Sequence, residues 1–408
     1  MDIEARTYPF TRHTPFEMPE EFAWLRENRP IAQVRLATGD TAWLITRYED
    51  VRTALTDPRF SRTINREGAA RVDTGFQADA DSPVFNFGGS ISEPPGHTRW
   101  RRLVNQAFTA RHAESMRPAV AAHTDALLDD LESAGGRFDL MADYAYQLPI
   151  RVICDLLGLE QTARPEFSAL AAQITRRDFT SSFVEFGQAL QAIGRYAIGL
   201  IVRKRQNLGD DLLSTLIGLT DEEDGRLSNE ELVSTVILLL MAGYESTAVQ
   251  LGNAFYALFR DPSQMRRLRE EPALIGQAVE EILRYAQMGT GYAIAKFTTE
   301  DVELSGGTVP AGSTVFVSLA SANRDEKVFG EDADRFDVGR GCAHRQTAFG
   351  YGPHYCLGAA LARVEMQEGI ARMLNRFPDL RFDGPDLDGV PLASNLFTFY
   401  PAELPVRI

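Results

Sequence analysis

The sequence predicts a single mainly α-helical domain with small β-sheets at its margins, spanning residues 1–408. Three observations carry this reading. Across residues 97–286 the apolar positions recur mostly with helical spacing. Short strand patterns occur before and after that stretch. No internal repeat and no low-complexity linker divides the chain, although 408 residues would by length suit two or three domains of roughly 100–200 residues.

Taken in order, Ile31–Leu36 and residues 41–46 read as a hairpin around Thr38-Gly39-Asp40. Residues 61–96 are rich in Gly, Asp, Ser and Pro, and irregular stretches of that length are usually functional or disordered. In the helical stretch, Ser228 with Glu231 three residues later forms a capping-box pattern. The helix it opens runs to Arg260 and stops at Asp261-Pro262. That is about thirty residues, or roughly 48 Å. Residues 236–241 are all apolar, as in a buried helix. Short strands return at residues 292–296, Val302–Leu304 and Thr314–Val317, residues 356–377 read as a further helix, and short extended segments close the chain.

Composition narrows the function classes. A net charge of −15 excludes nucleic acid as the main partner, because phosphate binding needs a basic surface. The first ten residues contain no apolar run, and the longest one, residues 236–242, falls far short of the ~18 that span a bilayer. Neither a signal peptide nor membrane insertion is expected. Three cysteines cannot build a disulfide framework and fit a reducing cytoplasm, with Cys154 read as a buried structural thiol.

Two segments carry chemistry. The apolar run breaks at Ala242-Gly243-Tyr244-Glu245-Ser246-Thr247. Glycine inside a helix costs about 1 kcal/mol relative to alanine. A buried carboxylate costs more unless paired or protonated, and hydroxyls that bond back to carbonyls bend helices. One reading is a ligand groove with a proton relay; the other is a polar patch facing a neighbouring helix or buried water. The second segment is Phe349-Gly350-Tyr351-Gly352-Pro353-His354-Tyr355-Cys356-Leu357-Gly358. Its glycines permit a tight loop with N–H groups aimed at one sulfur, and a helix start adds positive potential. Both would favour thiolate, the metal-binding form. Phe349 would cover the site and keep water from it.

Phe-Gly-x-Gly-x-His-x-Cys-x-Gly resembles the haem-binding loop of the cytochromes P-450, whose thiolate ligation of haem iron is a general property. Ala242 to Thr247 is similar to the family's oxygen-side helix motif, and Glu281-Ile282-Leu283-Arg284 to its Glu-x-x-Arg. Pro94-Pro95-Gly96-His97-Thr98-Arg99-Trp100-Arg101 is similar to the start of the helix that reaches a haem propionate. The resemblance implies the family's triangular α-rich fold, haem b as cofactor and Cys356 as iron ligand. Ala242, Phe349, Gly350, Gly352 and Gly358 would line the haem, while His97, Arg101, His354 and Lys296 would hold its propionates. Lys296 stands where the family often has Arg, and loses the bidentate fork.

Glu245 and Ser246, or Thr247 one place on, would deliver protons to dioxygen. Ser246 stands where the family usually has Thr, and lacks the methyl that fixes the rotamer. Glu281 and Arg284, with Arg335, would form a buried structural network. Substrate contacts by position are Phe85, Phe87, Leu238, Met241, Thr290, Gly291, Tyr292, Phe397 and Thr398. The chain carries no flavin or iron–sulfur segment, so its electrons would come from a ferredoxin and ferredoxin reductase. Arg99, Arg102 and Arg345 would form the basic patch that meets the acidic ferredoxin. The implied protein is a cytoplasmic monomer inserting oxygen from O2 into a C–H bond of an apolar small molecule, of polyketide or macrolide type. Alternatives are the same enzyme performing epoxidation, ring formation or coupling, a peroxide-driven enzyme, a non-catalytic haem sensor, and a structural zinc site built from Cys342, His344, His354 and Cys356.

Overall fold

The computed structural model describes all residues except 2, 4–5, 64–65, 72–90, 160–165, 167–168, 171–182, 219, 222–224, 290, 292–293 and 395–397. It is mainly helical with small sheets. Ile31–Leu36 pairs antiparallel with Thr41–Ile45, with Ile31 opposite Ile45 and Arg35 opposite Thr41. Gly39 closes the turn at φ +87°, where a side chain would be strained. This hairpin lies in a six-stranded sheet, ordered Thr7–Tyr8, Ile31–Leu36, Thr41–Ile45, Thr314–Val317, Ala295–Thr298, Phe60–Ser61. The expected strand at 292–296 therefore sits later, at Ala295–Thr298. Its register is set by Lys296 opposite Val315 on one side and Phe297 opposite Ser61 on the other. Of residues 61–96, the segment 72–90 lies outside the described residues.

The long helix expected from Ser228 is two helices, Asn229–Ala242 and Glu245–Arg260. Ser228 caps the first through a full capping box with Glu231. The break falls in the polar interruption, where Tyr244 adopts φ −125°, ψ −42°. A Cβ on Gly243 would lie 2.5 Å from the Leu239 carbonyl oxygen and 2.9 Å from Ile153 Cδ1, so this close packing admits only glycine. In the second helix every residue from Thr247 to Phe259 is buried. Asn229–Arg260 is long and apolar enough to cross a membrane, containing an 18-residue stretch of mean hydropathy 1.6, but half of that stretch is buried in this fold. It passes through the core of the domain.

The helix expected to open at Cys356 begins at Ala359 and runs to Arg376. It packs on Arg117–Ser133, Ile275–Tyr285 and Glu245–Arg260, and its Met366, Ile370 and Met373 join Leu251 and Phe255 in the main core. Cys154 is fully buried in a second core with Trp100 and Tyr244, as expected. The helical stretch is interrupted by a strand at Arg137–Asp139, a π-helical turn at Leu140–Ala145 and a short pair at Thr220–Asp221 and Gly225–Arg226.

Glu281 and Arg284 form the expected buried pair. Arg284 Nε and Nη2 donate to the two Glu281 oxygens at 2.7 and 2.8 Å. The third member differs from expectation. The second guanidinium on Glu281 belongs to Arg340, at 3.2 Å, and the Asp337 N–H donates to the same oxygen at 3.0 Å. Arg335 contributes only its carbonyl, which accepts from both Arg284 and Arg340 at 3.1 Å. The chain turns between 335 and 340, and it is Arg340 that buries its side chain there.

Candidate active site

The cysteine loop is built from the expected glycines. Gly350 and Gly352 sit at φ +73° and +74°. A Cβ on Gly352 would meet Thr56 Cγ2 at 2.7 Å and the Leu55 carbonyl at 3.0 Å. The Gly350 N–H donates to Thr347 O at 2.8 Å and the Cys356 N–H to Phe349 O at 2.9 Å, closing the loop on itself. Thr347 is anchored by Asn323, whose Oδ1 accepts from its N–H at 2.7 Å and its hydroxyl at 2.9 Å. Phe349 meets Tyr355 edge to face at 6.2 Å, with the Arg363 guanidinium 4.6 Å above its ring. Gly358 has ordinary helical-side geometry and no neighbour within 4 Å of a Cβ, so neither strain nor protein contact requires glycine there.

Cys356 is exposed, yet the surrounding protein mass pushes its thiol up. The N–H of Gly358, the charges of Arg101 and Arg363 and the N–H of Ala359 oppose that shift without overcoming it. The N–H groups of the loop end and helix start thus act toward thiolate as expected, and burial outweighs them in the haem-free protein. A coordinated metal ion deprotonates such a thiol outright.

Beside the loop lies a cluster of imidazole, guanidinium and ammonium groups. The rings of His97 and His354 are 3.9 Å apart at 36°. Arg101, one turn after His97, donates from Nη2 to Tyr355 O at 2.7 Å. Lys296 is buried, with Nζ 3.4 Å from Phe60 O. Burial, then Arg62, pulls Lys296 down to about 8 against the attraction of Glu93. Burial, then Arg62, His97, Lys296 and Arg101, pushes His354 to about 2. His97 is lowered by the same kinds of cause, burial first and then Arg101 and Arg62. Glu93, the carboxylate near this group, already accepts from Ser61 Oγ at 2.8 Å and the Thr63 N–H at 3.0 Å. Like charges so placed destabilise one another unless an anion joins them. The donor set fits haem: one sulfur for the iron and imidazole, guanidinium and ammonium groups for two carboxylates.

On the central helix, Leu238, Met241, Glu245 and Ser246 are partly exposed and Ala242 is exposed, whereas Val236, Leu239, Leu240 and Tyr244 are buried. The accessible positions share one helical face. The break turns Glu245 so that its Oε1 accepts from Thr398 Oγ1 at 3.3 Å. Ser246 Oγ donates back to Ala242 O at 3.1 Å, the back-bond expected of a hydroxyl that bends a helix. Thr247 is buried. The Tyr146 and Tyr400 rings stand nearly perpendicular at 6.5 Å. Burial, Tyr400 and then the nearby Glu245 and Tyr244 hold the Tyr146 hydroxyl far above its usual range.

Several sequence-derived positions are thereby redefined. Thr398, expected as a substrate contact, bonds the acid Glu245. Gly291 needs glycine because its φ is +112° and a Cβ would meet Tyr8 Oη at 3.0 Å and Pro9 Cβ at 3.1 Å. Phe85, Phe87, Thr290, Tyr292 and Phe397 lie outside the described residues. Arg99, assigned to a basic patch, instead pairs with the capping-box Glu231 at 2.7 Å, while Arg102 and Arg345 are exposed. The zinc alternative is overturned: among the described residues no group of three or more His, Cys, Asp or Glu converges as a metal site. His344 Nδ1 instead faces Gly341 O at 3.1 Å. Arg62 and Glu93 were not anticipated. Nothing local distinguishes them, and only the pairing of Phe60–Ser61 with Ala295–Thr298 brings them beside Lys296.

Comparison with known proteins agrees with this geometry. The family model for cytochrome P450 matches residues 10–383. The chain is 39% identical to the mycinamicin IV hydroxylase/epoxidase of Micromonospora griseorubida, covering 99% of this chain and 98% of the relative. It is 38% identical to the 6-deoxyerythronolide B hydroxylase of Saccharopolyspora erythraea, covering 95% of each. The crystal structure of the LnmA cytochrome P450 hydroxylase from the leinamycin biosynthetic pathway of Streptomyces atroolivaceus superposes with TM-score 0.89 at 39% identity, covering 99% of this chain and 100% of that one. The chain belongs to the cytochrome P450 family, as a single haem-dependent monooxygenase domain of the P450 fold.

Proposed function

We propose that Cys356 is the thiolate ligand of the haem and that the enzyme oxygenates a bulky, apolar-bodied metabolite of polyketide or macrolide type. The observation that carries this is the meeting of the glycine-bent cysteine loop with the cations Arg62, Arg101 and Lys296 and the imidazoles of His97 and His354. When bound, haem supplies the redox chemistry of oxygen activation, with thiolate ligation favouring O–O cleavage. The residues present would hold it: Arg62, Arg101, Lys296, His97 and His354 would take the propionates, Phe349 and the loop would shield the sulfur, and Ala242 would line the group.

The proton-handling groups sit at the helix break. The Ser246 hydrogen is committed to the Ala242 carbonyl, so its Oγ offers lone pairs and acts as an acceptor. Glu245, hydrogen-bonded by Thr398, is the group that holds and passes a proton at its carboxyl oxygens. Thr247 is the alternative hydroxyl. Leu238 and Met241 give the same face an apolar surface for the substrate and against water. Electrons come from a ferredoxin and its reductase, met by a basic patch that includes Arg102 and Arg345 but not Arg99. The protein works as a cytoplasmic monomer, one domain over 1–408. The relative named for both hydroxylation and epoxidation supports epoxidation as a second outcome on the same site.

The experiment is a spectral titration of the holoenzyme with mycinamicin IV and with 6-deoxyerythronolide B, followed by turnover of Glu245→Ala. A low- to high-spin shift with either ligand supports the substrate class. A shift with neither, but with an unrelated metabolite, overturns it. In Glu245→Ala, electrons are expected to be diverted from product to peroxide by about tenfold or more, within the range that proton-transfer groups contribute. Full coupling there would remove Glu245 from the relay.

A further inference from the structure

One carboxylate joins two segments that each bring cations or imidazoles to the cluster beside the cysteine loop. The first is the strand Phe60–Ser61, at the edge of the six-stranded sheet, with Phe60 opposite Thr298 and Ser61 opposite Phe297. Lys296 Nζ lies 3.4 Å from Phe60 O, and Arg62 follows Ser61 directly. The second is the helix Gly96–Asn105, which carries His97 and Arg101. Glu93 stands just before that helix, thirty residues beyond Thr63. Its carbonyl accepts from the His97 N–H at 2.8 Å, one of the donors that a helix start leaves open. Its side chain reaches the other segment: Oε1 accepts from Ser61 Oγ at 2.8 Å, from the Thr63 N–H at 3.0 Å and from the Arg62 N–H.

The strand ends at Ser61, and the next two N–H groups turn to Glu93 instead of a sheet partner. Ser61 is buried, and the Thr63 N–H also donates to its hydroxyl at 3.1 Å, which closes the turn on itself. The backbone is thereby fixed on both sides of Arg62. The negative charge of Glu93 acts in another sense. In the protein alone it opposes the lowering of Arg62, His97 and Lys296 that burial causes. Toward a propionate held by those same groups the charge is repulsive. What Glu93 contributes to haem binding is therefore its accepting oxygen and not its charge.

We propose that Glu93 is a positioning residue for haem retention. By gathering Ser61, Arg62 and Thr63 on one oxygen while its carbonyl caps the His97 helix, it sets Arg62 and Lys296 on the sheet edge against His97 and Arg101 on the helix, so that all four meet the propionates together. The proposal rests on the reading of those four groups as the propionate site. Within that site Glu93 acts through Arg62.

The test is the rate of haem transfer from the holoenzyme to excess apomyoglobin. Arg62→Ala should release haem about tenfold faster than the parent, the effect of one charge-assisted hydrogen bond. Glu93→Ala should match it to within about threefold, and the double variant should be no more than about threefold faster than either single one, because both changes remove the same contact. Glu93→Gln keeps the accepting oxygen and loses the charge, so it should be no more than about twofold faster than the parent. General destabilisation would give neither the rescue by glutamine nor the failure of the two losses to multiply. Glu93→Gln as fast as Glu93→Ala, a double variant in which the two effects multiply, or an unchanged Glu93→Ala beside a fast Arg62→Ala overturns the proposal and leaves the propionate site standing. If Arg62→Ala releases haem no faster than the parent, the propionate reading of Arg62 fails and the proposal falls with it. Should Glu93→Ala not retain haem, Ser61→Ala, which removes one of the three donors, carries the same comparison with an expected change of about threefold.

Discussion

Replacing Glu281 with Gln should destabilise the protein severely through charge alone. The carboxylate and Arg284 are both fully buried, and Arg340 is nearly so. Glu281 accepts from Arg284 twice, from Arg340 and from the Asp337 N–H. Glutamine nearly preserves the shape but removes the negative charge, and its NH2 group would face guanidinium donors. Arg340 retains Asp332 at 2.8 Å, whereas Arg284 keeps only uncharged partners: the carbonyls of Asn323 at 2.8 Å, Ala333 at 2.6 Å and Arg335 at 3.1 Å, and the Phe329 ring at 5.2 Å. Arg324, close enough to be lowered by Arg284, adds repulsion. Breaking a buried pair from one side costs about 3–5 kcal/mol, against a total stability of roughly 5–15 kcal/mol. The assay is urea unfolding of the holoprotein followed by both haem absorbance and far-ultraviolet circular dichroism. Glu281→Gln should lose about 3 kcal/mol or more, and the double variant Glu281→Met/Arg284→Met should lose less than the single. A single-variant loss under about 1 kcal/mol, or a double variant less stable than the single, would refute the reasoning.

Two further outcomes follow from buried charges. Lys296 is held below its solution value, at about 8, so at pH 7 the haem-free protein contains an unfavourably buried ammonium, a penalty relieved as pH rises from about 8 toward 10.5. Lys296→Met should therefore raise the melting temperature of haem-free protein at pH 7, yet speed haem transfer to apomyoglobin by about tenfold, the value of one charge-assisted hydrogen bond. Slower haem loss would show that Lys296 does not hold a propionate. Glu365, buried in the helix after the cysteine loop, has one oxygen that meets no donor among the described residues, and burial raises its carboxyl from 4.5 to about 8. It stays neutral in the folded state while the unfolded chain ionises, so stability falls by about 1.4 kcal/mol per pH unit across that window. Glu365→Gln does not titrate, so its melting temperature should exceed that of the parent by a margin that widens from pH 5 to pH 8; a margin independent of pH would remove the assignment.

The parts legible in sequence were those whose cause is local. The Ser228 cap, the hairpin turn at Gly39, the bend at Gly350 and Gly352, and the Glu281–Arg284 pair each depend on residues a few positions apart. The split of the central helix was half legible. Its polar residues announced a disturbance, but full interruption also needs Ile153 pressed against Gly243 from another helix. Arg340 in place of Arg335, Arg62 and Glu93 beside Lys296, Arg99 turned to Glu231, and Thr398 on Glu245 all depend on long-range packing. No periodicity encodes such contacts. The thiol of Cys356 illustrates competing effects: the N–H donors were readable, while the charges of Arg101 and Arg363 and the opposing weight of surrounding protein come from the whole fold.

The central claim is a bond between one sulfur and the haem iron. Its most direct measurement is the absorbance of the reduced carbon monoxide adduct of the parent protein and of Cys356→Ser. The parent should show the strongly red-shifted band of thiolate ligation, and the variant should lose it while keeping its secondary structure. A Cys356→Ser protein that retains that band, or a parent whose adduct has the unshifted band of nitrogen ligation, would contradict the account.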